Sequence, residues 1–344
     1  MPKGAYIFAP SGPELGSREA KFFSEAQPFG FIMFQRNCKS PGQLRRLTAA
    51  LRESVGRDAP ILIDQEGGRV QRMRAPHWRE WMPPLEQVEA LAGSGGVTPE
   101  AERAVYLRGF LIGTELLAHG IDVNCAPCAD VARSETHPFL RNRCLGSTAS
   151  VVTVMARALA TGLTDAGCLP VTKHAPGHGR ATRDSHEALP RIKATLAELL
   201  ETDFLPFREL SDLPMTMTAH VVLPEIDPER PITLSEAGVT YLREELGLSG
   251  LLLTDDISMG ALSGNVESRA VSAREAGCDL VLHCSGDLSE MSAIAAAVGE
   301  MSSSARQLAD IAFSGRKNPL DVDICDFEAE FAALTQEAER NAGR

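Results

Sequence analysis

Short, continuously apolar runs recur along the chain, each followed by a longer stretch with helical spacing. The runs are AYIFA (5–9), GFIMF (30–34), PILID (60–64), IDVNCAP (121–127), CLPVTK (168–173), MTMTAH (215–220), GLLLTD (250–255) and CDLVLH (278–283). Hydrophobicity that is continuous rather than alternating marks a strand buried on both faces. The intervening segments 17–26, 41–55, 99–119, 148–166, 194–211, 234–246, 266–276 and 287–301 read as helices. Some carry end signals: Ser40 caps a helix opened by Pro41, and Ser235 opens one that Gly247 closes. Eight β/α alternations predict an α/β protein of the (β/α)8, or TIM, barrel type. An open doubly wound sheet is the competitor, but no G-x-G-x-x-G follows the first run and no phosphate-binding loop occurs. The tail from about residue 303, including DFEAEFAALTQEAERN, reads as one or two amphipathic helices packed outside the barrel. Residues 1–344 read as a single domain.

Composition narrows the possibilities. A hydrophobic content of 44% is ample for a core, and a net charge of −12 excludes a nucleic-acid partner, which needs a basic surface. No apolar stretch approaches the ~18 residues of a membrane span, and the run in MPKGAYIFAP is too short for a signal-peptide core. A cytoplasmic location without a membrane partner is therefore expected. Cys38, Cys125, Cys128, Cys144, Cys168, Cys278, Cys284 and Cys325 are scattered, as reduced thiols are. Cys125 and Cys128 make the one C-x-x-C, but no second ligand pair stands at zinc spacing. Pro127 also keeps Cys128 from opening a thioredoxin-like helix.

In a barrel of this type the active site lies at the carboxyl ends of the strands. Charged residues gather there. Asp64, Glu66, Arg69 and Arg72 follow the third run, and Asp130 and the segment FLRNRCLG follow the fourth. Lys173 and His174 come at the end of the fifth, His220 after the sixth, Asp255 and Asp256 after the seventh and His283 after the eighth. Carboxylates, cations and histidines without a nucleotide motif suit a hydroxyl-rich substrate such as a sugar. Asp64 is placed to accept hydrogen bonds from neighbouring hydroxyls.

The segments ILIDQEGGRVQRM, APCAD, KHAPGHGRATRDSHEALP, MTMTAHVVLP and LLLTDDISMGAL, taken together, resemble the bacterial β-N-acetylhexosaminidases of glycoside hydrolase family 3. The likeness spans residues 5 to 290 and is nearest to the short cytoplasmic type that acts in peptidoglycan recycling. Side chains alternate along a strand, so only one of Asp255 and Asp256 can face the barrel mouth. The resemblance makes Asp255 the nucleophile and leaves Asp256 as a structural acceptor. An alternative has both acting while the substrate's own acetamide is the nucleophile, and the resemblance argues against it. It also implies an unusual acid/base, His186, on the loop after the fifth strand and paired with Asp184. A histidine titrates near neutrality and can give and then take a proton, while the carboxylate fixes its tautomer. Pro176, Gly177 and Gly179 make that segment a hinge. Asp64, Arg72, Arg143, Lys173 and His174 are carried over as substrate-binding residues.

Three details depart from the family pattern or stay unassigned. Arg141 stands where a glycine is usual, so Arg141 and Arg143 compete for one role. Arg180 replaces an Asp common after the second glycine, and could alter the loop's dynamics or contact acidic parts of a substrate such as a peptide stem. His283 and Cys284 match nothing, whereas His220 and Met259 read as packing or support. His174 and His178 are four apart, but Pro176 and Gly177 forbid the helix that would make them joint ligands. His178 is expected to stabilise its own turn, and no metal or cofactor is expected.

The resemblance thus implies a retaining exo-β-N-acetylglucosaminidase working through a glycosyl–Asp255 intermediate. Its substrate would be GlcNAc-1,6-anhydro-N-acetylmuramic acid with or without peptide, and the protein would be a monomer. A phosphorylase with the same intermediate is one alternative, and a sugar-binding barrel without turnover is another.

Overall fold

Each apolar run yields a strand because its side chains are buried on both faces of the sheet. The computed structural model describes residues 4–92, 96–182 and 188–342, with side chains described through 336. The strands are β1 (Gly4–Phe8), β2 (Pro28–Met33), β3 (Ile61–Ile63), β4 (Gln65–Gly67), β5 (Val70–Gln71) and β6 (Val123–Asn124). They continue with β7 (Leu169–Pro170), β8 (Thr172–Ala175), β9 (Met215–Thr218), β10 (Leu251–Asp256) and β11 (Leu280–His283). Nine of them form one sheet in the order β7-β6-β3-β2-β1-β11-β10-β9-β8, with parallel pairing throughout. The two ends of that order are separated in the chain by Val171 alone, so the sheet curls into a nearly closed barrel. The count is nine rather than the expected eight because the fifth run is split. Pro170 has no N–H to donate, and the Val171 N–H turns to the carbonyls of Asn124 (2.9 Å) and Ala126 (3.1 Å).

Most helices lie where the spacing predicts them: Ser17–Ala26, Pro41–Val55, Pro99–Leu117, Ala149–Asp165, Glu236–Glu244, Val266–Ala276 and Leu288–Val298. The expected helix over 194–211 is instead two short ones, Leu196–Glu201 and Leu205–Glu209. Pro206, in the first turn of the second, cannot donate back into a continuous helix. Helices Pro84–Ala92 and Pro138–Arg141 and the antiparallel hairpin β4–β5 are not among the expected elements, although Leu85, Val88 and Leu91 give the first of them a helical apolar spacing.

Alternation along the strands makes two apolar layers. Ile7, Ile32, Leu62, Met217, Leu253 and Leu282 fill the barrel interior. Phe8, Phe31, Ile63, Leu252 and Val281 face the surrounding helices. The tail differs in part from its expected place outside. Ala305, Ala309 and Ala312 of the helix Ser303–Ser314 join the interior cluster, and Phe313 meets Phe29 of β2 edge-on at 5.8 Å. This helix therefore closes the barrel at the strands' amino ends. The last helix, Ile324–Ala342, does lie outside, with Phe327 on Phe110 and Phe331 on Trp81.

The helices Pro99–Leu117 and Ala149–Asp165 press backbone on backbone where Gly109 faces Leu159 and Gly162 faces Tyr106. A Cβ on either glycine would fall well inside van der Waals contact distance of the facing carbonyl, and rigid backbone cannot yield as a side chain would. Gly162→Ala should lower the unfolding free energy by about 1–3 kcal/mol, read from urea denaturation.

Candidate active site

The groups gathered at the strands' carboxyl ends meet in one cavity of about 80 Å3. Asp64, Arg72, Arg143, Lys173, His174, Asp255 and Asp256 line it, with Phe34, Phe139, Met259 and Cys284 among its apolar walls. Lys173, on β8, is almost fully buried; its ammonium lies 2.7 Å from Asp64 Oδ1 and 2.5 Å from Glu66 Oε1. Arg72 donates to the other Asp64 oxygen at 2.8 Å and stacks over the Phe34 ring at 4.8 Å. Arg143 grips Glu66 with two hydrogen bonds of 3.0 and 2.9 Å, and reaches His174 Nε2 at 3.2 Å. His174 Nδ1 lies 2.8 Å from Asp130 Oδ2. Three carboxylates and three permanent cations thus form one continuous chain.

The hairpin after β3 places Arg72. Gln65 is fully buried; its side-chain oxygen accepts from the N–H groups of Arg72 and Met73 while its amide donates to the Met73 carbonyl. The hairpin turns at Gly67 and Gly68, both at positive φ. A Cβ on Gly67 would strike the Arg108 guanidinium and the Met82 carbonyl.

Burial alone pushes carboxyl pKa values up, but the cations here reverse the sign. Against its burial, Asp64 is held well below the usual range by Lys173 and Arg72. Glu66 is held low in the same way by Arg143 and Lys173. Burial lowers the affinity of Lys173 for its proton, yet the two carboxylates outweigh it and hold the ammonium charged. Asp255, half-buried on β10, is likewise pushed up by burial and pulled below its ordinary value by His174, His220, the Asp256 N–H and Lys173. Its carboxylate is ionised at neutral pH. Burial pushes the His178 imidazole down to about 4, so that ring is neutral.

A family model for the glycosyl hydrolase family 3 N-terminal domain matches residues 14–312. The chain belongs to glycosyl hydrolase family 3. It is therefore a glycoside hydrolase. It is 39% identical over 277 residues to a β-hexosaminidase of Methylococcus capsulatus, covering 79% of this chain and 80% of that one. Native NagZ from Neisseria gonorrhoeae superposes with a TM-score of 0.85 at 29% identity, covering 98% of both chains. A family 3 β-N-acetylglucosaminidase from Paenibacillus aligns over 99% of this chain with a TM-score of 0.78 and 31% identity, and the chain spans 62% of that longer protein.

Within this family 3 chain, the expected residues Asp64, Arg72, Arg143, Lys173, His174 and Asp255 share the cavity. Asp184 and His186 lie outside the described residues. Arg143 is buried against Glu66, whereas Arg141 is exposed, so only Arg143 is in position to meet a ligand. Asp256 lines the cavity as well as Asp255, against the expectation that only one of the pair would face the mouth, but it is tied up in its turn: Oδ1 accepts from the N–H groups of Ser258 and Cys284, and Oδ2 from the Ser258 hydroxyl. His220 is fully buried between the Thr233 hydroxyl and the Asp256 carbonyl. His283 bonds Glu290 at 2.9 Å, and Cys284 is a wall residue.

Two expectations need correction. Arg180 already has acidic partners within the chain. Its guanidinium is held by Asp203 and Glu198, at 2.8 and 2.6 Å, beside the helix Leu196–Glu201. His178 does more than stabilise its own turn: its N–H donates to Asp130 Oδ1 at 2.8 Å, and its ring stacks on His174 at 4.8 Å without any helix. The Lys173–His174 and Ala175–Pro176 peptides here are cis.

Glu66 and Asp130 were visible as rim charges but had no role in the sequence. The available signal was spacing, since Asp64 and Glu66 stand two apart in extended chain and so point the same way. Glu66→Ala leaves Arg143 and Lys173 short of a counter-charge and should cost about 3–5 kcal/mol of stability by urea unfolding. The contribution of Asp64 has a definite sign with pH. Its folded-state value is depressed, so the stabilisation is complete above about pH 4 and is lost as pH falls through the folded-state value. Unfolding midpoints followed from pH 7 to pH 2 should fall less steeply on the acid side for Asp64→Asn.

Proposed function

We propose that this hydrolase is a retaining exo-β-N-acetylglucosaminidase that removes a terminal β-linked GlcNAc through a covalent glycosyl–Asp255 intermediate. The observation carrying this reading is that an ionised Asp255 shares a small cavity with Asp64, Arg72, Lys173, His174 and Arg143. A carboxylate kept ionised inside a barrel mouth can attack an anomeric carbon. The fixed ring of acceptors and donors around it suits the hydroxyls and acetamide of one hexosamine. Because Lys173 and Arg72 already hold Asp64 ionised and oriented, sugar binding need not reorganise the site. The β-hexosaminidase and β-N-acetylglucosaminidase names of the relatives point to the same substrate class.

His186 supplies the proton to the leaving oxygen and then takes one from water, with Asp184 fixing its tautomer. This assignment rests on the resemblance of the segment holding Asp184 and His186 to the family's. The donor is GlcNAc-1,6-anhydro-N-acetylmuramic acid with or without peptide, in the cytoplasm, and the enzyme is a monomer of one catalytic domain. The nine strands are read as an eight-unit (β/α)8 barrel whose fifth strand is interrupted at Val171. No helix among the described residues is long and apolar enough to cross a membrane.

Trapping with a 2-fluoro mechanism-based sugar and mapping the labelled peptide tests the nucleophile. Label on Asp255 is expected, and label on Asp256 or none on that peptide would overturn the reading. Asp255→Ala should lower kcat/KM by at least about 10³-fold. His186→Ala should lower it by about 10²–10⁴-fold. Appearance of GlcNAc-1-phosphate, in place of free sugar, when phosphate is added would identify a phosphorylase instead.

A further inference from the structure

Adjoining the sugar-binding chain, and sharing His174 and Asp130 with it, lies a second constellation whose Cys128 and His178 have no part in the proposed hydrolysis. Three groups converge on a single oxygen, Asp130 Oδ2. The His174 Nδ1 is 2.8 Å away, the Cys128 thiol 3.4 Å and His178 Nε2 3.7 Å. The ligand atoms of Cys128, Asp130 and His174 all lie within 4.8 Å of one another, and all four side chains are more than nine-tenths buried. The His178 ring is held by stacking on His174 rather than by hydrogen bonds. Its Nδ1 has no hydrogen-bond partner among the described residues, and its Nε2 is too far from Asp130 for a hydrogen bond. One thiol, one carboxylate and two imidazoles are the donors of a zinc-type cation, not of magnesium or calcium. Zinc bonds of about 2.0–2.3 Å need ligand atoms ~3.3–3.8 Å apart, so the site would tighten by about an ångström.

We propose that Cys128, Asp130 and His174, with His178 as fourth ligand, bind a soft divalent cation such as Zn2+ or Cd2+, and that its binding closes down the sugar site. The coupling follows from proton positions. Arg143 can only donate, so His174 Nε2 accepts from it and the His174 proton sits on Nδ1, facing Asp130. A cation on Nδ1 displaces that proton to Nε2. Nε2–H then confronts the Arg143 N–H, donor against donor, and Arg143 is driven from the place where it meets both Glu66 and the ligand. The Cys128 thiol gives its proton to solvent and its sulfur lone pair to the cation, with no change of oxidation state. His174 lines the cavity, so the cation enters by the substrate's own route. Because binding linkage is reciprocal, bound sugar weakens the cation in turn.

The test uses the whole chain in a Cys325→Ser background, which removes the exposed thiol. Titration with Cd2+ should give an ultraviolet thiolate-to-metal band that saturates at one cation per chain. Zn2+ should inhibit hydrolysis of a chromogenic β-GlcNAc substrate over the same range. Cys128→Ala, with Cys128→Val beside it to preserve packing, should abolish the band and weaken Zn2+ inhibition at least tenfold. Cys144→Ser, altering a buried thiol of the same small cluster whose own hydrogen bond goes to the Leu140 carbonyl, should keep both. A band that persists without Cys128, or inhibition unchanged in both variants, overturns the proposal. The band is read without substrate, so its outcome stands apart from the proposed glycosidase chemistry.

Discussion

One buried ammonium governs the barrel mouth. Lys173 sits between Asp64 and Glu66 with almost no access to water, and so cannot exist charged without both of them. A buried ion network of this kind adds little net stability over a well-packed apolar core, because desolvation cancels much of the attraction. What it contributes is position. Each carboxylate has two oxygens and each is gripped twice, Asp64 by Lys173 and Arg72, Glu66 by Lys173 and Arg143. The four polar groups best placed to meet a sugar are therefore fixed to one another across β8, the β4–β5 hairpin and the segment after the helix Pro138–Arg141.

The rest of the mouth is arranged around that fixed frame. Asp255 projects from β10 into the same cavity, and the positive charge gathered opposite keeps its carboxylate ionised despite partial burial. Its neighbour Asp256 is consumed in binding N–H groups and a hydroxyl, whereas Asp255 accepts the Asp256 N–H on Oδ1 and is the acid of that strand end placed to react. Cys128 and His178 stand one layer further out around Asp130. There a cation would compete for the imidazole that Arg143 relies upon, so one histidine is common to both ligand sites.

The sequence carried the strands and most helices because burial on two faces leaves a continuous apolar run, and one-sided burial leaves a 3.6-residue period. It also carried Asp64, Lys173, His174 and Asp255, since each ends a run and strand ends face the mouth. What it hid was contact between distant segments. Glu66 lies 77 residues from Arg143, and no local pattern announces that pairing. The rivalry between Arg141 and Arg143 could be settled only by seeing which lies on the buried side of the short helix at 138–141. Arg180 looked available in the sequence because its carboxylate partners, Glu198 and Asp203, belong to a later segment that folds back on it. The meeting of His174 and His178 was misjudged for a related reason: a turn as well as a helix can bring residues four apart together. The broken fifth strand was missed because Pro170 sits inside an otherwise well-formed apolar run.

The most direct test is a crystal structure of the chain with N-acetylglucosamine bound. The account predicts one sugar ring in the barrel mouth, with hydroxyls on Asp64, Lys173 and Arg143. Its anomeric carbon should lie about 3–3.5 Å from an Asp255 oxygen, the separation of a near-attack arrangement. A sugar bound outside this cavity, or one whose anomeric carbon faces away from Asp255, would contradict it.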